Sequence, residues 1–233
     1  MRDRAAFAYA HARLQAHHGR RPTKSTWHFL NASKSLGHYL ESARKTGLGA
    51  WAAHLTTGTD IHDIEGALRR EWQAYVERVS SWLPRDWRPA VLWTQVLADL
   101  PLAVHHGRGL ATPAWGEADV ARLQDGTSSE KPLSDWVERF NELWPQGSDA
   151  DARELKQLID VLRYHLAPDN PDYILDGVEA RYSLIARLER LFRRHAQRPV
   201  AVFAFLGMVA LDIEHLRAHL VHRRLFPETL DNR

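Results

Sequence analysis

The feature that most constrains this chain is residues 200–211, an unbroken run of apolar residues and one glycine. An α-helix that is apolar on every face must be buried on all sides. The run covers 12 residues, whereas a membrane-spanning helix needs about 20. We therefore expect a central core helix, without direct insertion into a membrane. Beyond residue 211 the segment becomes amphipathic and rich in charge, so its far end should reach the surface.

Composition excludes several classes of site. The chain has 233 residues, no cysteine and a formal net charge of +2. Disulfides, thiolate metal sites and cysteine nucleophiles are therefore excluded, and so small an excess of charge gives no reason to expect a nucleic-acid partner. The first four residues lack the apolar core of a signal peptide. We expect a cytoplasmic protein, and a peripheral position beside a membrane complex stays open.

Helical periodicity recurs along the chain and strand alternation is nearly absent, which predicts an all-α multi-helix bundle. Asp60 has the position and side chain of an N-cap for the long helix that follows it. The predicted helices cover residues 5–17, 25–30, 36–47, 51–55, 61–82, 89–105, 117–123, 133–143, 149–165, 177–195 and 198–224.

A loop-rich connection is predicted at residues 107–132, where glycines, prolines and serines accumulate. It separates an N-terminal helical lobe, residues 1–106, from a C-terminal helical lobe, residues 133–233. The two lobes either stay separate or pack together as one domain. Each has short helices, then a long amphipathic helix, then an apolar one, which suggests two similar lobes that arose by duplication.

Three histidines, His215, His219 and His222, share one stripe of the last helix because an α-helix repeats every 3.6 residues. Three imidazoles can bind zinc, nickel or copper. The metalloprotease pattern His-Glu-x-x-His, however, needs a glutamate where Leu216 stands. We therefore expect a polar surface or interface stripe and no metal or other cofactor, with a His-rich metal-binding protein as the alternative.

Motifs for nucleophilic or phosphate chemistry are absent from the sequence. Neither Gly-x-Ser-x-Gly nor Gly-Lys-Ser/Thr occurs, so no catalytic residue is predicted. Arginine-rich segments at residues 187–198 and 223–224 are suited to an acidic partner. They lack the interleaved aromatic residues on which single-stranded nucleic acid stacks, so we expect no nucleic-acid partner.

Four charged residues lie in apolar surroundings along their predicted helices. A charge buried there costs several kcal/mol unless it is paired. We expect Arg13 to form an inter-helix ion pair with Asp212 or with Glu65. Arg217 lies in the same predicted helix as Asp212.

Three patches of the sequence resemble the V-type and archaeal A-type ATPase subunit known as C in prokaryotes and d in eukaryotes. Tyr9-Ala-His-Ala-Arg-Leu-Gln-Ala16 is similar to the opening helix of that family, and Ile64-Glu-Gly-Ala-Leu68 to its Ile-Glu-x-Ala-Leu stretch. Asp212-Ile-Glu-His-Leu-Arg217 is similar to its closing Glu-Ile-x-Asn-Leu-Arg. The patches occur in the family's order, although Asp212 replaces the glutamate and His215 the asparagine.

The resemblance implies an all-helical, funnel-like protein without an active site. Members of the family form the cap of the membrane rotor ring and seat the central stalk. For this chain the resemblance implies a non-catalytic coupling role whose partners are other protein subunits. The structural or interface residues are then Tyr9, Arg13, Glu65, Asp212 and Arg217. The alternative is a helical adaptor for protein–protein interaction that is unrelated to rotary ATPases.

Overall fold

The computed structural model describes residues 2–98, 132–145, 149–166 and 171–226. Within these ranges the protein is all-α, as predicted, and no strand occurs. Two short 3-10 helices, Arg85–Trp87 and Thr94–Ala98, flank the sixth α-helix. The α-helices are α1 (Arg2–His18), α2 (Lys24–Asn31), α3 (Leu36–Arg44), α4 (Gly49–Ala52), α5 (Ile61–Ser81), α6 (Arg88–Trp93), α7 (Pro132–Glu142), α8 (Asp149–Leu166), α9 (Pro171–Arg194) and α10 (Pro199–Leu225).

Side-chain caps fix where the early helices begin. Thr23 and Thr26 form a reciprocal capping box at the start of α2. Ser35 accepts a hydrogen bond from the backbone N–H of His38 at the start of α3. The predicted cap at Asp60 is confirmed, because its Oδ1 lies 2.7 Å from the backbone nitrogen of Asp63. Each cap satisfies an amide that the first helical turn leaves without a partner.

Two helix boundaries differ from the prediction by more than three residues. The helix expected over residues 89–105 ends as α6 at Trp93 and tightens into a 3-10 turn, where the Thr94 hydroxyl donates to the Val91 carbonyl at 2.7 Å. Residues 99–105 of that prediction lie outside the described residues. The helix expected from residue 177 begins at Pro171, since proline at the first helical position loses no needed hydrogen bond. The helix predicted at 117–123 lies outside the described residues.

The chain divides into two compact units that differ from the predicted lobes. Unit 1 comprises Met1–Leu14 and Val76–Met208, and unit 2 comprises Gln15–Tyr75 and Val209–Arg233. Each unit therefore combines segments from both sides of residues 107–132. Apart from Pro132, that predicted connection lies outside the described residues and stays a prediction.

The core of unit 1 is aromatic. Phe203 of α10 meets Phe140 of α7 edge to face, with 4.9 Å between the ring centroids, and Phe205 lies 5.8 Å from Phe192 of α9. All four rings are almost completely buried. A Cβ atom added at Gly207 would lie 3.2 Å from a leucine side chain of α9, so this glycine permits a close approach of the two helices.

The core of unit 2 forms around Trp72 of α5 and Tyr39 of α3, which are 1% and 0% exposed. Leu30 and Leu40 are among the other buried residues of this core. The connection between α3 and α4 passes close to the backbone that follows α1. A Cβ atom added at Gly47 would lie 1.8 Å from the carbonyl oxygen of Arg20, so this position accepts no side chain.

Helix α10 contains the predicted core helix. Every residue from Val200 to Val209 except Gly207 is almost completely buried and apolar. By length and composition α10 is also a candidate membrane span among the described residues, but 83% of its apolar window is buried inside the protein. A core helix passes that composition test as readily as a spanning helix does.

Candidate functional site around the end of the last helix

The second half of α10 carries Asp212, Arg217 and the three histidines that the sequence analysis singles out. Asp212 is 4% exposed and pairs with Arg21, which follows α1. The Arg21 Nε lies 2.7 Å from Oδ2 and its Nη2 lies 3.1 Å from Oδ1. This two-bond geometry matches the fork of a guanidinium to both carboxylate oxygens. The pair fastens the start of the polar half of α10 to the N-terminal part of unit 2.

A second ion pair lies about one and a half turns further along α10. The Arg217 guanidinium donates from Nε to the carboxylate of Glu65 on α5. The Glu65 side chain is 9% exposed and that of Arg217 is 45% exposed. One end of the pair is therefore inside the unit and the other is in contact with solvent.

The expectation that Arg13 pairs with Asp212 or Glu65 was wrong, since these carboxylates pair with Arg21 and Arg217. Arg13 is exposed. Its guanidinium lies 4.8 Å from the ring centroid of Tyr9, one turn earlier in α1. It also lies 5.2 Å from the ring centroid of Trp82. Arg13 thus needs no carboxylate partner, because an arginine side chain can stack on aromatic rings while its charge stays in contact with water.

Two of the three histidines form an aromatic cluster with Trp27 of α2. His215 stacks on the Trp27 ring, with 4.1 Å between the centroids and 25° between the planes. His219 meets His215 edge-on at 4.6 Å, and its Nδ1 lies 3.1 Å from the Tyr39 hydroxyl. Burial raises the pKa of the Tyr39 phenol well above its ordinary value, and the nearby arginine charge only partly opposes that shift. Tyr39 therefore stays protonated here.

Arg223 is a structural residue of this site that sequence reasoning placed only in a surface segment. It is 3% exposed, and its guanidinium lies 4.3 Å from the Tyr39 ring centroid. It donates hydrogen bonds to the carbonyls of Asn31 and Ser33 at the end of α2. Burial lowers the pKa of the Arg223 guanidinium, and Tyr39 opposes that shift. A cation at helix carbonyls satisfies acceptors that the last turn leaves open.

The histidine stripe does not come together as a site for one metal ion. His215 is buried, so the predicted surface stripe is wrong at that position. His222 is exposed and lies beside Phe226, 5.4 Å between ring centroids. In the part of the chain that the structure describes, no three histidine, aspartate or glutamate side chains form a group that could hold a metal ion.

A separate charged cluster in unit 1 was not predicted. Arg198, between α9 and α10, donates to Asp151 at 2.8 Å and to Glu154, both near the start of α8. The Nδ1 of His195 lies 3.1 Å from Glu154. Between them Gln197 has a φ of 62°, a left-handed conformation that reverses the chain. The acidic start of α8 was the available signal, since carboxylates favour a helix N-terminus.

The ion pairs of Asp212, Glu65 and Arg198 thus join distant segments within one unit each. No family model, curated protein or solved structure matches the chain.

Proposed function

We propose that this chain is a non-catalytic coupling subunit of a multi-protein assembly, similar in role to the rotor-capping component of V-type ATPases. The observation that carries the proposal is the ion pair between Glu65 and Arg217. Glu65 belongs to the second patch that resembles the family, and Arg217 belongs to the third. The two residues are separated by 152 positions in the sequence.

This pairing gives the resemblance a physical reason. If either residue of the pair were replaced, the other would lose its ion-pair partner. A buried carboxylate without its partner destabilises the fold, so unit 2 needs both residues. Asp212, also in the third patch, is likewise held by an arginine. The charged residues of the second and third patches are thus explained by the packing of the closing helix. This supports a shared fold more directly than it supports the rotary role.

The exposed apolar residues support a function in protein binding. Tyr9 is 52% exposed, Phe29 is 63% exposed and Phe226 is 49% exposed. Aromatic side chains are frequent anchors of protein interfaces because they bury a large area at a small entropic cost. In this proposal the chain works in the cytoplasm, beside a membrane complex, and its partners are a rotor ring and a central stalk.

Affinity purification of the tagged chain from its native membranes tests the proposal. We expect proteins of the rotor ring and the stalk to co-purify in fixed ratio. The variant Tyr9→Ala should reduce their recovery while the melting temperature stays unchanged, because Tyr9 is exposed. Val178→Ala removes a similarly exposed apolar side chain and serves as the matched control. Recovery of a different, defined set of proteins would instead establish an adaptor unrelated to rotary ATPases and refute the coupling role.

A further inference from the structure

A groove rich in arginine lies between α8 and α9 in unit 1. Its volume is about 620 Å³, and its lining includes Gln157, Val161, Arg187, Arg190, Leu191 and Arg194. Arg193 also lines it. Nothing in the proposed coupling role assigns a ligand to this groove, and none of these residues belongs to the three patches that resemble a family.

The arginines follow the repeat of the helix. Arg187, Arg190 and Arg194 are spaced by three and four residues, so they form one stripe along α9. From first to last the stripe extends about 10 Å, which is two helical turns. Positive charge is therefore presented in a line along one face of α9.

Much of this charge is not neutralised by the described residues. Arg190 and Arg194 are exposed, and neither forms an ion pair with any residue that the structure describes. Arg193 lies 3.6 Å from Glu189 and its side chain is 69% exposed, so that contact is loose. The Arg187 guanidinium lies 5.7 Å from the ring centroid of Tyr164 on α8. The groove consequently presents an excess of cations to a ligand.

The floor of the groove is apolar. Val161 and Leu191 are half-buried, and Tyr164, the ring that contacts Arg187, is 45% exposed. A ligand that fills the groove must therefore offer an apolar surface as well as negative charge. Inorganic phosphate offers charge alone, and one aromatic ring does not make the stacking platform that single-stranded nucleic acid needs.

We propose that this groove binds an acidic amphipathic helix of a partner protein. Apolar residues of that helix cover Val161 and Leu191, and glutamates or aspartates on its flank pair with Arg190 and Arg194. This is the helix-in-groove mode of recognition, with charge complementarity selecting the partner. The inference rests on the proposed coupling function, because it names the chemistry of one partner surface.

A pair of synthetic peptides tests the groove directly. The first is a labelled helical peptide of roughly 18 residues with leucines on one face and glutamates on both flanks, and the second replaces every glutamate by glutamine. Binding to the full chain is measured by fluorescence anisotropy. We expect the glutamate peptide to bind about tenfold more tightly, and salt to weaken its binding, because screening acts on exposed charge pairs.

The variant Arg190→Gln/Arg194→Gln should lose most of that preference. Arg78→Gln/Arg163→Gln removes the same charge from exposed positions outside the groove and should bind as the wild type does. Arg190→Lys/Arg194→Lys keeps the charge and should retain part of the affinity, which covers the case in which the glutamine variant folds poorly.

Equal affinity for the two peptides, or equal losses in the groove and control variants, would overturn the proposal. So would a single-stranded oligonucleotide that binds the wild type more tightly than the peptide and loses affinity in the groove variant. If the peptides fail while rotor proteins still co-purify with the chain, the groove inference falls and the coupling function stands.

Discussion

The ion pair between Arg21 and Asp212 offers the most direct test of how unit 2 is held together. Replacing Arg21 by methionine keeps an apolar stem but removes the guanidinium from Asp212, a residue that is only 4% exposed. Removing one partner of a buried pair costs about 3–5 kcal/mol. Because Asp212 makes further interactions, we expect the lower end of that range, about 3 kcal/mol of unfolding free energy.

The same reasoning predicts a smaller cost when both charges are removed. The double variant Arg21→Met/Asp212→Leu leaves no unpaired charge, and exchanging a buried pair for apolar residues is often close to neutral. The double-mutant cycle should therefore give a coupling energy of about 2 kcal/mol or more, within the range measured for contacting residues.

Urea unfolding followed by tryptophan fluorescence measures these differences. Trp27, Trp51 and Trp72 lie in unit 2, so the unfolding of unit 2 changes the tryptophan fluorescence. The exposed arginine substitution Arg78→Met is the control for loss of one positive charge. If Arg21→Met changes the unfolding free energy by less than about 0.5 kcal/mol, as a surface substitution would, or if the two single costs simply add, the pair does not stabilise unit 2 as argued.

Three further predictions follow from packing and burial. Gly47→Ala should cost about 3 kcal/mol by thermal unfolding, the upper end of the usual cost of overpacking, because its Cβ would lie 1.8 Å from a carbonyl oxygen. Gly58→Ala should be nearly neutral, because its Cβ would meet only a side-chain oxygen at 3.8 Å. Phe205→Ala should cost about 3–5 kcal/mol by urea unfolding, and the exposed Phe29→Ala should cost little. Burial lowers the pKa of His11 below 6.5, so the unfolded chain takes up that proton first and stability falls as the pH drops below about 6.5. Between about pH 7.5 and pH 5.5 the melting temperature of His11→Gln should therefore fall by less than that of the wild type. A larger fall in the variant would contradict the argument.

Local signals were sufficient to predict most of the helices. The apolar stripe of α5 and the cap at Asp60 act within a few residues, so the sequence alone predicts that helix and its start. The burial of the first half of α10 was predictable in the same way, because a helix that is apolar on every face has no polar face to expose to water. The early beginning of α9 was missed because Pro171 is compatible with either a loop or a first helical position.

Tertiary choices were not predictable from local signals. Arg13 and Arg21 are both arginines near the end of the first helix, and only the folded arrangement selects which one meets a carboxylate. His215 was expected on a polar stripe. In the folded protein its imidazole is buried because it stacks on the face of the Trp27 ring. Arg223 was expected at the surface, because its partners are backbone carbonyls that no sequence pattern marks.

The assembly of unit 2 from two distant segments has a consequence for synthesis of the chain. The Arg21–Asp212 contact joins residues 191 positions apart, and ribosomes add roughly 5–20 residues per second. The N-terminal helices therefore wait for about 10–40 seconds before their partner helix exists. During that time the faces around Trp27 and Tyr39 have no α10 to cover them. Nascent chains stalled before residue 209 should then be the form of this protein that chaperones bind and proteases cut.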